Sequence, residues 1–342
     1  MDASGIDGAG GQGQRNAQNT MELFHSDCVT TRMRKPLFYA TLAATLGLAG
    51  CDIDIDDVGI GSKEEEAFHY SYDCKPGSRL LLENYNGAVE ITAWDQPKIE
   101  IDGARFASTK ERLQQVKIDI SRGADSVTIR TVRPLDLGGN SGARYQIRVP
   151  KQVVLELIKS TNGSLRVNGT DGAANLRTTN GSVRVSGVNG AVSATSTNGA
   201  IEFVGLNGAA TARTTNGRIK MDEIQGPMEA STTNGSIVAA MSRSTDDRKM
   251  RFSTTNGTIE LRLPAGLKND VRASTSNGSI EVKLPAAAAF QVAARTSGSS
   301  IRSDFNVEGE VTKKRVEGKV GGGGALLDLS TSNGSISLQR GL

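Results

Sequence analysis

Thr178-Thr179-Asn180-Gly181-Ser182-Val183-Arg184-Val185 reappears as Ser196-Thr197-Asn198-Gly199-Ala200-Ile201-Glu202-Phe203 and as Thr214-Thr215-Asn216-Gly217-Arg218-Ile219-Lys220-Met221, each copy 18 residues after the last. Outward from this stretch, the Asn-Gly pair stands at Asn162 and Asn234 in the same frame. It continues at Asn256 and Asn277, degenerates to Gly298-Ser299, and returns at Asn333-Gly334. A period of this length marks a repeat architecture whose units gain stability by stacking on their neighbours. Asn162, Asn180, Asn198, Asn216, Asn234, Asn256, Asn277 and Asn333 are therefore candidate structural corners.

Columns counted from the Asn give the fold. Three residues on stand Leu165, Val183, Ile201, Ile219, Ile237, Ile259, Ile280, Ile301 and Ile336. Five residues on stand Val167, Val185, Phe203, Met221, Ala239, Leu261, Val282, Ser303 and Leu338. The residue between is mostly polar, as at Arg184, Glu202, Lys220 and Glu260, so the stretch alternates with the period of a strand buried on one face. Two residues before the Asn runs a hydroxyl column, Ser160, Thr178, Ser196, Thr214, Thr232, Thr254, Thr275, Thr296 and Thr331. It shares the inward face with Ile158, Leu176, Ala194 and their equivalents, so the hydroxyls should hydrogen-bond along the stack. Asp171-Gly172, Asn189-Gly190, Asn207-Gly208 and Gln225-Gly226 fall midway, giving two strands and two corners per unit. Glycine is expected at the corners for its freedom to take positive φ.

Two-residue Asn-Gly loops also close antiparallel hairpins, but a meander gives no reason for a fixed frame. In a coil each column stacks on itself at about 4.8 Å per rung. The sequence thus predicts an all-β fold, a single-stranded parallel β-helix (β-solenoid) of about 18–22 residues per coil, roughly 40 Å long at that spacing. Low aromatic content (4%) and 40 glycines agree with a thin aliphatic core.

Upstream, Asn86-Gly87 with Leu82, Asn84, Val89 and Ile91 repeats the mould with longer excursions. Further strands are expected over 98–101, 116–120, 127–131, 145–149 and 153–158, with one short helix over 109–115. Residues 67–158 read as opening coils and cap, and 159–342 as the regular solenoid. Its largest insertion, 304–324, reads as a flexible basic loop, and the end rung near Leu338 as an uncovered edge open to self-association.

Residues 1–50 read as a leader. Met1 to Thr20 is rich in Gly, Gln and Asn and suggests disorder; Met1, Met21 and Met33 are alternative starts. After Met33 come Arg34-Lys35, an apolar run from Leu37 to Leu48, and Ala49-Gly50-Cys51, the layout of an export signal. Leu48-Ala49-Gly50-Cys51 resembles the bacterial lipobox, which implies lipid attachment at Cys51 and anchoring to the inner or outer membrane, facing the periplasm or the cell surface. Residues 51–66 would be a polar tether.

The strand Asn84-Tyr85-Asn86-Gly87-Ala88-Val89-Glu90-Ile91 with Trp94, the serial Thr-Thr-Asn-Gly units, and the closing Gly323-Gly324, Leu327 and Ser330 to Ile336 together resemble the bacterial putative-adhesin family of β-strand repeat proteins. The resemblance covers roughly Phe68 to Leu338. It implies a solenoid at the cell envelope and no established chemistry.

Catalytic constellations are not evident. His69 is the one histidine after Met33 and reads as a strand residue beside Tyr70 and Tyr72; Cys74 reads as a small half-buried residue. The nonapeptides lack the serial Asp of calcium-binding rolls, and no metal or other cofactor is expected. Arg177, Arg213 and Arg295 interrupt the flat threonine array that ice binding needs. Net charge is +3, from 40 basic and 37 acidic residues with the signs interspersed, which argues against nucleic acid. The sequence points to a non-enzymatic scaffold or adhesion module with a protein or glycan ligand. An accessory lipoprotein of envelope-stress sensing is the alternative, and a carbohydrate-active enzyme the remote one.

Overall fold

A computed structural model describes residues 64–133 and 140–341, all within one compact unit, Asp57–Leu342. First come β1 (Glu64–Asp73), β2 (Arg79–Asn86), β3 (Val89–Trp94), β4 (Lys98–Ala107), helix α1 (Lys110–Gln115), β5 (Lys117–Arg122), β6 (Ser126–Val132) and β7 (Ser141–Pro150). Paired strands follow: β8 (Val154–Asn162) with β9 (Leu165–Asn168), β10 (Ala174–Asn180) with β11 (Val183–Ser186), and β12 (Val192–Thr195) with β13 (Ile201–Val204). The pattern continues as β14 (Ala210–Arg213) with β15 (Ile219–Gln225), β16 (Met228–Asn234) with β17 (Ile237–Arg243), β18 (Met250–Asn256) with β19 (Ile259–Arg262), and β20 (Val271–Asn277) with β21 (Ile280–Leu284). Last are β22 (Phe290–Thr296), β23 (Ile301–Ser303), β24 (Glu308–Val311), β25 (Arg315–Val320), β26 (Leu326–Thr331) and β27 (Ile336–Arg340).

The fold is the expected β-solenoid. The strand before each Asn-Gly corner joins a 14-stranded sheet and the strand after it a 13-stranded sheet. Within both, successive coils pair in parallel with like residues opposed, as in Val183↔Ile201, Ile201↔Ile219 and Thr254↔Thr275. The two aliphatic columns fill the space between the sheets, almost all of their members fully buried. Bulk is shared across coils: Ala194 and Ala212 on one sheet accompany Phe203 and Met221 on the other. Each buried Ile or Leu contributes roughly 1.5–3 kcal/mol, and the register lines up these gains rung by rung.

The hydroxyl column does what its position predicts. Thr178 Oγ1 donates to Gly163 O at 3.0 Å, Ser196 Oγ to Gly181 O at 3.0 Å and Thr214 Oγ1 to Gly199 O at 3.0 Å. The pattern runs on to Thr331 and Gly278 O at 2.8 Å. Each bond satisfies a carbonyl that turns out of the ladder at the corner.

The reason for glycine at the main corner differs from the expected one. None of the repeat glycines Gly163, Gly181, Gly199, Gly217, Gly235, Gly257, Gly278 and Gly334 has positive φ. A Cβ on Gly199 would instead overlap Gly181 O, and the same overlap recurs up the stack. Close approach of one backbone to the next demands glycine here. Positive φ belongs to the other corner, where Gly187 (60°) and Gly205 (63°) precede Glu223 (54°), the one non-glycine with positive φ among the described residues.

Both ends depart from simple sequential stacking. Spatially β2 lies between β6 and β8, and β3 between β7 and β9, so the first coil is covered by β6 and β5 on one sheet and by β7, β4 and β1 on the other. The cap beyond it is antiparallel: β1 pairs with β4, β4 with β7, and β5 with β6. The Asn86-Gly87 coil itself follows the repeat, with Asn84 opposite Ser160, Asn86 opposite Asn162 and Val89 opposite Leu165, and only the cap departs from it. Helix α1 begins after Thr109, whose Oγ1 accepts from Arg112 N at 3.3 Å.

At the other end β26 lies between β20 and β22, and β27 between β21 and β23. Leu338 is fully buried in the interior of a sheet, which overturns the expectation of an open edge there; β23 is the edge strand instead. Nor is the 304–324 insertion a flexible basic loop. It forms hairpin β24–β25 laid antiparallel on β22, with four acidic and four basic residues. Arg315 pairs within it to Glu317 at 2.6 Å and Glu310 at 3.4 Å. Phe305 meets Phe290 edge-on, ring centroids 5.3 Å apart, and closes the core.

Candidate functional surface

The main corner forms an exposed ridge. From Asn180 to Asn333, each corner Nδ2 donates to the Oδ1 of the Asn in the neighbouring rung at 2.8 Å. All eight predicted corner asparagines thus stand in one amide ladder, flanked by exposed Thr179, Thr197, Thr215, Thr233 and Thr255. Each amide keeps an N–H and an oxygen lone pair toward solvent. Asn140, followed by Ser141 where the corners have Gly, accepts from Asn86 Nδ2 at 2.8 Å.

On the outer face of the 13-stranded sheet several charges pair along the stack, although Arg166 stands beside Arg184 and Glu260 beside Glu281. Arg184 Nη2 lies 2.8 Å from Glu202, whose other oxygen is 3.4 Å from Lys220. Glu260 is 2.9 Å from Arg262 and 3.2 Å from Lys283, which also reaches Glu281 at 2.9 Å. Hydrogen bonding from Arg184 holds the Glu202 carboxyl below its ordinary range. Partial burial raises Glu260, but Arg262 and Lys283 outweigh it and keep that carboxyl low.

At the capped end of this face, His69 Nδ1 is 2.6 Å from Asp102, whose carboxyl the bond holds low. Arg148 bridges Glu100 at 2.6 Å and Asp102 at 3.4 Å, with its guanidinium 5.0 Å from the Trp94 ring centroid. His69 is indeed on a strand beside Tyr70 and Tyr72, whose rings stack. The cross-strand partner Asp102 has no signal in local sequence.

The outer face of the 14-stranded sheet is different. One column runs Glu229, Arg251, Arg272, Asp328 over successive rungs, and the next runs Arg213, Ser231, Ser253, Ser274, Ser330, Arg295. An open depression of about 280 Å³ lies over β14, β16, β18 and β20. Arg213 pairs with Glu229 at 2.7 Å, while Arg272 and Arg295 share Asp328 at 3.7 and 3.5 Å. These residues were legible as outward columns, but their clustering depends on two-column register.

Cys74 is buried at the cap, and its Sγ donates to Lys75 O at 3.6 Å. Cys51, the expected lipid site, lies outside the described residues, as does the whole leader. Among the described residues no helix is long and apolar enough to cross a membrane, and no group of three or more His, Cys, Asp or Glu is placed to hold a metal ion.

The chain is similar in structure to a putative adhesin from Bacteroides fragilis, with 12% identity, TM-score 0.40, and coverage of 80% of this chain and 97% of that one. It is also similar to a putative cell adhesion protein from Clostridium sporogenes, with 11% identity, TM-score 0.22, and coverage of 81% and 99%. A third is a putative lipid binding protein from Parabacteroides distasonis, with 11% identity, TM-score 0.33, and coverage of 80% and 97%. No curated protein matches the sequence. Residues 78–283, more than half of the chain, match the family model Toastrack DUF4097, and the chain belongs to that family.

Proposed function

We propose that this chain is a non-enzymatic, lipid-anchored module of the cell envelope that binds a protein or glycan through one outward sheet face. The observation that carries this reading is the parallel register. It holds outward side chains in straight columns, like beside like, at one rung's spacing. Such an array suits an extended partner that makes the same weak contact many times, and avidity then multiplies modest contacts. Acid–base catalysis asks for the opposite, a few groups converging on one reacting atom.

In this reading residues 1–50 are removed, Cys51 carries lipid, and the polar tether expected over 51–66 joins the solenoid to the bilayer. Strand β1 already begins at Glu64, which keeps the tether short. Replacing Cys51→Ser tests the anchor: the variant is expected in the soluble fraction, and unchanged recovery with membranes would refute lipidation. The binding role is tested by coating beads with the purified solenoid and measuring their retention on intact cells and isolated envelope polysaccharide. Retention no greater than that of uncoated beads would count against it.

A further inference from the structure

We propose that the outer face of the 14-stranded sheet, over β14 to β26, is a binding trough for a linear acidic polysaccharide. The inference rests on the binding-module reading and names its ligand class. Its floor is Ser231, Ser253, Ser274 and Ser330, one serine per rung, with Arg213 and Arg295 closing the two ends in the same column. Arg251 and Arg272 wall one side, and the exposed Thr233, Thr255 and Ser276 edge the other.

Three features point to an anion that follows the stack. The four arginines have only Glu229 and Asp328 as carboxylate partners there, and the Arg251 guanidinium has no ion-pair or hydrogen-bond partner among the described residues. Arg251 and Arg272 stand directly beside each other in register, an arrangement of like charges that costs stability. The opposite sheet also sets like charges side by side, Arg166 with Arg184 and Glu260 with Glu281, but there Glu202 reaches Arg184 at 2.8 Å and Lys283 bridges both glutamates at 3.2 and 2.9 Å. Finally, the serines remove side-chain bulk between the arginines, leaving the depression of about 280 Å³ and a row of hydroxyls at its base.

Guanidinium groups bind carboxylate or sulfate through two parallel hydrogen bonds, and serine hydroxyls exchange bonds with sugar hydroxyls. A bilayer is too flat to reach the recessed serines. A nucleic acid would gain from aromatic stacking, and none of the residues in these two columns is aromatic. A sugar chain one residue wide, with an acidic group recurring along it, satisfies the arginines and the floor together.

The full chain, solubilised in detergent, is titrated with polygalacturonate, dextran sulfate and neutral dextran. Single-stranded oligonucleotide and phosphatidylglycerol–phosphatidylcholine vesicles serve as further arms. Binding of one or both acidic polysaccharides is expected, weakened by salt, with none to neutral dextran. The double variant Arg251→Gln/Arg272→Gln should lose at least tenfold in affinity, and Arg166→Gln/Arg184→Gln on the other sheet should lose none. The trough variant should melt no lower than the parent in the absence of ligand, because a like-charge contact is removed; that separates lost binding from lost folding. Equal loss in both double variants would overturn the trough, as would equal binding of oligonucleotide or vesicles or no binding to either polyanion. Bead retention on cells that survives the trough variant would sink this ligand assignment while leaving the binding module standing.

Discussion

Thr170 illustrates how one side chain can be at odds with its column. It lies at the second corner in the place taken by Val188, Leu206 and Ile224 in the following rungs, all buried. Its Oγ1 is buried with no hydrogen-bond partner among the described residues. A buried hydroxyl left without a partner costs about 1–3 kcal/mol, and valine has nearly the same shape. Thr170→Val is therefore expected to stabilise the fold by about 1 kcal/mol, read as a rise in the midpoint of chemical denaturation. An unchanged or lower midpoint would show that the hydroxyl is satisfied by water. Glu223 is the comparable backbone case, a side chain carried at a left-handed position where the preceding coils have Gly187 and Gly205. Both exceptions fall at the second corner, and both could be found by aligning columns. Their cost could not, because burial without a partner and the sign of φ are properties of the folded chain.

At the scale of the strand, the inward columns were readable because a period of two and a fixed frame leave one register, and a slip would turn every Ile outward. The hydroxyl column was readable for the same reason. The role of the corner glycine was misjudged from sequence: local turn chemistry favours positive φ, whereas stacking imposes contact with Gly181 O and its equivalents. Arg184, Glu202 and Lys220 were legible as one stacked outward column, but not which carboxylate oxygen each cation takes. That pairing carries a pH dependence. The Glu202 carboxyl lies below its ordinary 4.5 in the folded chain. Its stabilising contribution is then complete above about 4.5 and is lost as pH falls through the lower folded value. Glu202→Gln should lower the melting temperature slightly near neutrality and flatten its decline below pH 4.5. An acid limb of unchanged steepness would mean that the exposed pair is fully screened.

For the molecule as a whole, the repeat gave away the body and concealed the ends. The cap has no frame to follow, and antiparallel pairing of β1, β4 and β7 leaves no period in the sequence. The closing segment, Ser330 to Ile336, carries a perfect repeat signature, and nothing in that signature reveals that it enters the stack between coils already made. That placement has a consequence for stability. In a solenoid stacked in chain order, removing the last coil breaks one interface and leaves a shorter, folded rod. Here β26 bonds to both β20 and β22, and β27 to both β21 and β23. A chain ending at Gly324 would lose two interfaces at once and leave β22, β23 and the hairpin facing an empty slot. Terminating there is expected to remove amide-exchange protection from β22 through β25 as well as from the deleted strands. The midpoint of the main unfolding transition should fall accordingly. If β22 through β25 kept the protection they have in the full chain, the last coil would be an independent addition, and its position between its neighbours would have no part in holding that end together.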